Sequence, residues 1–230
     1  GMRRDVVDLF KQLKPGCLRW PGGCFAEYYN WKDGLLPVDK RPPIGPGQWV
    51  GLLPDSHGYD NHEIGTDEFI ALCRELNCAP AITIRYGEGS PEEAASWVEY
   101  CNRGVETYWG KIRADRGHPE PYQVKYWYVG NEIWGMSLVK NKDPKFCTAL
   151  SRQFTEAMMK ADPGITPIRC AQFLDKAWQS EIIKQMAESP EFPELIQDGY
   201  YGPDYAGMTQ MSKVPTMNIL PSLISERQLL

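Results

Sequence analysis

Hydrophobic and polar positions along the chain follow two alternating periods, which predict a repeating order of strands and helices. Stretches with apolar residues three or four positions apart predict amphipathic helices, and short runs of β-branched and aromatic residues predict strands. The predicted helices are residues 3–13, 67–76, 91–102, 144–161 and 176–187. The predicted strands are residues 17–20, 81–86, 124–129 and 168–173, with a weaker one at 195–201. Long helices between short apolar strands indicate parallel βα units.

The order of these units predicts an α/β fold of the (β/α)8 TIM-barrel type. Such a barrel has about 250 residues and begins with a strand, whereas this sequence begins with a helix and gives about five βα units. We therefore expect an incomplete barrel over residues 1–207, with the first and last strands not evident, and an irregular tail at 208–230 where the periodicity fades. An open doubly wound sheet is the alternative, although the sequence lacks the glycine-rich phosphate loop of that fold.

Residues 24–65 form the longest connection between predicted elements and are rich in glycine, proline and aromatic residues. Structureless loops of this length are uncommon in compact domains and are usually functional. The aromatic side chains, Trp31 among them, either pack the loop onto the barrel or line a cleft for a sugar. We expect the second, with the loop forming one wall of the cleft.

The candidate chemistry lies at the end of the strand 124–129, where Gly130, Asn131 and Glu132 follow directly. In α/β barrels the catalytic groups lie at the C-terminal ends of the strands. A glutamate there suits acid/base work on a sugar, since the amide of Asn131 can hold a ring hydroxyl and the rings of Trp127 and Trp134 can pack on the sugar. The alternative is that Asn-Glu after a strand is turn chemistry only.

Arg19 is a charged residue in the otherwise apolar strand 17–20. Its side chain either snorkels to the surface or points into the top of a barrel, where it would bind carboxylates or hydroxyls.

Composition and charge narrow the expected partners. The 230 residues are 42% hydrophobic with a net charge of −5, as in soluble globular proteins, and mild acidity gives no reason to expect nucleic acid or an anionic membrane as a partner. No apolar run approaches the ~20 residues of a membrane span, and no leader peptide is visible. The seven cysteines lack Cys-x-x-Cys spacing, which predicts free thiols and a reducing, cytoplasmic location. The histidines lack metal-ligand spacing, so we expect neither a metal nor a cofactor.

Several short motifs follow one another in the order of a known family. They are residues 18–25 (LRWPGGCF), 29–34 (YNWKDG), 41–42 (RP), 65–69 (GTDEF), 97–102 (WVEYCN), 117–122 (GHPEPY) and 130–135 (GNEIWG). With them the chain resembles the family-51 glycoside hydrolases, the α-L-arabinofuranosidases of the retaining (β/α)8 clan, over about residues 3–173.

The resemblance implies an enzyme that removes arabinofuranosyl groups from arabinose-containing plant polysaccharides or oligosaccharides. Glu132 would be the general acid/base, and Asn131 would bind the 2-hydroxyl of the sugar. Arg19 would support the acidic cluster, and the turn at residues 21–25, with Cys24, would form part of the same subsite. We also expect Trp134 and Trp31 to bind the saccharide.

The sequence departs from the family pattern most seriously at the nucleophile, a glutamate that the family carries at the end of its seventh strand. The glutamates after Glu132 fall in or beside a predicted helix or in the unpatterned tail. Retaining hydrolysis needs two carboxyl groups about 5 Å apart, so we expect no turnover from this chain alone. We also expect homo-oligomers, because open sheet edges recruit other chains.

Two other functions remain open at this point. One is a non-catalytic carbohydrate-binding protein on a degenerate partial barrel. The other is a different glycosidase of the clan, such as a xylanase, although the motifs at residues 19–25 and 31–34 favour the arabinofuranosidases. Cys24 also departs from the family, since many relatives have asparagine there.

Overall fold

The computed structural model describes residues 2–44, 60–135, 139–171, 175–188 and 195–198, which form helices around one parallel sheet. The strands are β1 (Cys17–Trp20), β2 (Ala79–Ile84), β3 (Tyr126–Val129), β4 (Thr166–Ala171) and β5 (Leu195–Asp198). The helices are α1 (Arg4–Leu13), α2 (Thr66–Leu76), α3 (Pro91–Asn102), α4 (Tyr108–Asp115), α5 (Pro144–Ala161) and α6 (Lys176–Ala187). Short 3-10 helices at Gly23–Tyr28, Asp33–Leu35 and Val38–Lys40 lie in the connection between β1 and α2.

The strands lie side by side in chain order, β1-β2-β3-β4-β5, and every neighbouring pair is parallel. A doubly wound sheet reverses its strand order at a switch point, whereas a (β/α)8 barrel keeps neighbours in sequence. The topology therefore favours the barrel expectation over its alternative. Within the described residues β1 has one strand neighbour, β2.

The periodicity located most elements correctly, but two strands begin earlier than predicted. β2 and β4 begin at Ala79 and Thr166, each two residues before the predicted start, and each has a proline, Pro80 or Pro167, in its second position. Proline lacks a donor for the ladder and is tolerated near the start of a strand, so the apolar pattern becomes visible only after it. The weak strand at 195–201 is confirmed over Leu195–Asp198, and its last three residues lie outside the described ones.

Helix α4 lies between the predicted helix 91–102 and the predicted strand 124–129, where no element was predicted. The apolar pattern does not reveal this helix, because its inward-facing residue Arg113 is charged. The side chain of Arg113 is buried and donates to the backbone carbonyls of Tyr100, Arg103, His118 and Pro119. A charged residue that faces inward breaks the apolar stripe by which a helix is recognised. Gly110 adds to this, since a glycine lowers helix propensity.

Helix α1 was predicted as an amphipathic helix, but most of its apolar side chains are not buried. Only Val7 is buried, while Val6 is partly exposed and Leu13 is 75% exposed. The packing explains this. Helix α1 contacts α2 on one side, and its apolar side chains extend around the helix beyond that side. Leu9 adds to the apolar surface that α1 leaves exposed.

Aromatic packing fastens the described part of the long β1–α2 connection onto the sheet. Trp31 stacks on Trp97 of α3 with ring centroids 5.7 Å apart and nearly parallel planes. Trp97 in turn meets Trp127 of β3 edge-on at 6.0 Å. The connection leaves the C-terminal end of β1 and enters the N-terminus of α2, so it lies at the end of the sheet where the candidate site was predicted. The predicted boundary between residues 207 and 208 and the tail lie outside the described residues.

Candidate active site

The residues that follow β3 meet the C-terminal ends of β1 and β2, because all three strands are parallel. Arg19 of β1 donates from Nε to Thr83 Oγ1 at 2.8 Å and from Nη2 to Asn131 Oδ1 at 2.7 Å. Its guanidinium lies 4.4 Å from the ring centre of Tyr128. Of the two predicted orientations, the side chain therefore takes the one toward the strand ends, where hydrogen bonds and a cation–π contact hold it.

Cys24 connects the amide of Asn131 with the carboxyl group of Glu132. Asn131 Nδ2 donates to Cys24 Sγ at 3.6 Å, and the thiol donates to Glu132 Oε2 at 3.4 Å. A thiol is a weak donor, but here it touches the candidate catalytic carboxyl directly. Arg19, Asn131, Cys24 and Glu132 thus form one continuous line of side-chain contacts, which we call the strand-end cluster.

The backbone that presents Glu132 is in an unusual conformation. Gly130 has φ +82° and Glu132 has φ +46°, both in the left-handed region. A Cβ on Gly130 would lie 2.7 Å from Ile133 Cγ2 and 2.8 Å from Tyr86 Cβ, so only glycine fits. A non-glycine residue with positive φ carries strain, and such residues cluster at functional sites.

Glu27 is a carboxyl group of this region that the sequence reasoning missed. It is fully buried, and its Oε2 accepts from the backbone amides of Tyr86 at 3.0 Å and Gly87 at 2.6 Å. Burial raises the pKa of Glu27 to about 7, against the opposing influence of the amides of Gly87, Tyr86 and Asn131 and of the charge of Arg85. The one signal in the sequence was its position three residues after Cys24 in a glycine-rich turn.

The two tryptophans predicted to bind saccharide have different environments. Trp134 follows Glu132 by two residues and is half-buried, with its ring edge-on to Trp178 of α6 at 6.4 Å. Trp31 is 1% exposed, and its ring lies between Trp97 and Trp109. The structure therefore does not bring Trp31 to the cluster: the aromatic residue packs the loop onto the barrel, which was the alternative to lining a cleft.

A second catalytic carboxyl group is not found beside Glu132 in the part of the chain that the structure describes. After Glu132 the described glutamates are Glu156 in α5, Glu181 in α6 and Glu188 directly after α6, and the remaining ones lie outside the described residues. Glu27 does not fill the role, since its carboxyl is buried and engaged by backbone amides. Over the same residues, no group of three or more His, Cys, Asp or Glu side chains is arranged to hold a metal ion.

Among the described helices, none is both long and apolar enough to cross a membrane. The seven cysteines form no disulfide, and four of them are buried.

The chain matches the family model described as the alpha-L-arabinofuranosidase 1 domain over residues 9–205. Alpha-L-arabinofuranosidase C of Emericella nidulans is 36% identical over 185 residues, which are 80% of this chain and 35% of that protein. The intracellular exo-alpha-L-arabinofuranosidase of Bacteroides ovatus is 36% identical over 155 residues, which are 67% of this chain and 29% of that protein. The chain thus spans about a third of the length of these curated relatives.

Solved structures give the same result. The GH51 alpha-L-arabinofuranosidase of Thermotoga petrophila superposes with a TM-score of 0.75 at 35% identity, covering 86% of this chain and 39% of that one. A family 51 alpha-L-arabinofuranosidase of Bifidobacterium longum superposes with a TM-score of 0.78 at 26% identity, covering 91% of this chain and 40% of that one. Together with the strand order, these likenesses confirm that the sheet is part of a (β/α)8 barrel.

Proposed function

Since the chain belongs to glycoside hydrolase family 51, the α-L-arabinofuranosidases, we propose that it carries the acid/base half of a retaining active site for α-L-arabinofuranosides. The observation that carries the proposal is the position of Glu132. Its carboxyl is partly exposed, lies directly beyond the C-terminal end of β3, and is held by the thiol of Cys24.

Glu132 is the residue that moves the proton. As an acid it donates to the glycosidic oxygen while the sugar is transferred to the nucleophile, and as a base it then removes a proton from the water that releases the sugar. The second carboxyl group of this reaction comes from outside the described residues.

Asn131 and Arg19 bind and orient the sugar. The side-chain oxygen Oδ1 of Asn131 accepts a hydrogen bond from Arg19. The side-chain nitrogen Nδ2 of Asn131 donates one of its two hydrogens to Cys24 Sγ. The other amide hydrogen is available for the 2-hydroxyl of an arabinofuranose. Because Arg19 fixes the amide in this orientation, the hydrogen bond to the sugar needs no further ordering.

The proposed substrate is a terminal arabinofuranosyl group of an arabinose-containing plant polysaccharide or oligosaccharide. The half-buried ring of Trp134, two residues after Glu132, supplies an apolar surface for it. We propose a cytoplasmic location, which is supported by seven cysteines that form no disulfide and by the similarity to an intracellular relative.

The proposal is tested in a chimaera in which residues 9–205 replace the aligned segment of the Thermotoga petrophila enzyme. We expect turnover of an aryl α-L-arabinofuranoside by this chimaera. Glu132→Gln should lower the turnover number by about 10²–10⁴-fold, the usual contribution of general acid/base catalysis. Glu88→Gln, an exposed carboxyl near the end of β2, is the matched control and should leave turnover unchanged.

Saccharide binding without turnover is the second candidate function. It is favoured by one observation, the lack of a second carboxyl beside Glu132 in the described residues. The two functions separate in the chimaera: a binding module would bind arabinofuranosides whether or not Glu132 is replaced, and would give no turnover in either case.

A further inference from the structure

We propose that Glu27 is the positioning residue that holds Cys24 against the carboxyl of Glu132. It does so by fastening the 3-10 helix Gly23–Tyr28 to the backbone beyond β2. The inference rests on the proposed role of Glu132, which it deepens by naming a residue that acts through the thiol.

The 3-10 helix brings Cys24 and Glu27 onto one face. In such a helix, side chains three residues apart lie one above the other. Cys24 therefore reaches Glu132 Oε2 at 3.4 Å from the same face on which Glu27 reaches the amides of Tyr86 and Gly87. Any rotation of the turn that releases Glu27 also moves the thiol.

The bonds made by Glu27 account for backbone groups that the sheet leaves unpaired. Tyr86 and Gly87 follow the last residue of β2, so the ladder with β3 does not satisfy their N–H groups. Buried amides need an acceptor, and one carboxyl oxygen serves both at 3.0 Å and 2.6 Å. The turn that carries Cys24 is thereby tied to the backbone directly after β2, which is the strand next to β3.

A carboxyl group is a demanding choice for a fully buried position. Burying it is unfavourable unless hydrogen bonds compensate, and an apolar side chain would fill the same space without that penalty. The titratable or charged side chains that couple to it are Arg85, Tyr86 and Cys170. A positioning role requires an acceptor for the two amides beyond β2, whereas packing alone does not.

The test uses the 230-residue chain and the alkylation rate of the Cys24 thiol by iodoacetamide, measured peptide by peptide with mass spectrometry. A carboxylate beside a thiol opposes formation of the reactive thiolate. Glu132→Gln should therefore raise the alkylation rate of Cys24 about five- to tenfold at about pH 8. The exposed Cys17 is the internal reference, and the fully buried Cys101 reports unfolding.

The same Glu132→Gln comparison is then repeated in proteins that also carry Glu27→Ala, Glu27→Gln or the control Glu88→Gln. With Glu27→Ala the effect of Glu132→Gln should shrink to less than about twofold, because the thiol no longer lies at the carboxyl. With Glu88→Gln it should remain five- to tenfold. An unchanged effect with Glu27→Ala, while Cys101 stays protected, would overturn the proposal.

Glu27→Gln keeps the inference testable if Glu27→Ala exposes Cys101. The carbonyl oxygen of the glutamine can accept from the same two amides as Glu27 Oε2, so this variant should keep the coupling between Glu132 and Cys24. Loss of the coupling in Glu27→Gln, while Cys101 stays protected, would refute the role of Glu27 as the acceptor that holds the turn. The two experiments separate failure of this inference from failure of the proposed function. If the proposed function is wrong, turnover of the chimaera will not depend on Glu132, although the coupling between Glu132 and Cys24 persists in the alkylation experiment.

Discussion

The buried carboxyl of Glu27 should give the folded protein a distinctive dependence of stability on pH. Its ordinary pKa is 4.5, and burial raises the pKa in the fold to about 7. Below pH 4.5 the group is protonated in both states. Between 4.5 and about 7 the unfolded chain ionises while the folded protein keeps the proton, so the contribution of Glu27 to stability is lost as the pH rises.

The size of this effect follows from the same values. A difference between 4.5 and about 7, at about 1.4 kcal/mol per pH unit, corresponds to about 3 kcal/mol of unfolding free energy. Glu27→Gln removes the titration and keeps the shape of the side chain. Relative to this variant, the unsubstituted protein should therefore lose about 3 kcal/mol between about pH 4.5 and pH 7 and change little above that.

The assay is urea unfolding followed by tryptophan fluorescence at several pH values across this range. Subtracting the variant removes the contributions of all other titrating groups, and Glu88→Gln shows what the loss of an exposed carboxyl does alone. A difference between Glu27→Gln and the unsubstituted protein that stays constant with pH would refute the reasoning. It would mean that Glu27 ionises at its ordinary pKa and that its amide bonds offset burial completely.

Three further predictions concern the turn, the surface and the activity. Gly130→Ala should destabilise the fold by roughly 2–3 kcal/mol in urea unfolding, since the new Cβ meets Ile133 and Tyr86 and φ is positive; a change below about 0.5 kcal/mol would show that the turn relaxes freely. Sedimentation velocity should show self-association that weakens when the exposed Leu9 and Leu13 of α1 are both replaced by glutamate, and a protein that is monomeric throughout would contradict this. The 230-residue chain alone should not hydrolyse an aryl α-L-arabinofuranoside; clear turnover would place the nucleophile in the chain outside the described residues.

The sequence predicted the elements whose apolar residues follow a regular helical spacing or form a short β-branched and aromatic run. Helix α5 is confirmed at Pro144–Ala161. It was predictable because its apolar residues recur with helical spacing and Asp143 caps its N-terminus. β3 was recognisable from its β-branched and aromatic residues. The structure also brings Arg19 of β1 into hydrogen-bond contact with Asn131 beyond β3, because the C-terminal ends of the parallel strands lie at one edge of the sheet.

The remaining features depend on contacts between residues far apart in the chain. Helix α4 was not predictable because the buried Arg113 looks like a surface residue in the sequence. The backbone carbonyls that accept from it come near only in the folded chain. Trp31 belongs to the core because Trp97 and Trp109 come from other elements to cover it. Glu27 accepts hydrogen bonds from the amides of Tyr86 and Gly87, about sixty residues away in the chain. No local sequence pattern predicts such a pairing.

The most direct test of the central claim is the dependence of the Glu132→Ala defect on the leaving group, measured in the chimaera with a series of aryl and alkyl α-L-arabinofuranosides. A good leaving group departs without protonation, whereas a poor one needs the acid. We predict that the loss in kcat/KM grows as the leaving group becomes more basic, up to about 10²–10⁴-fold for the poorest. Equal losses across the series would contradict the assignment of Glu132 as the acid/base.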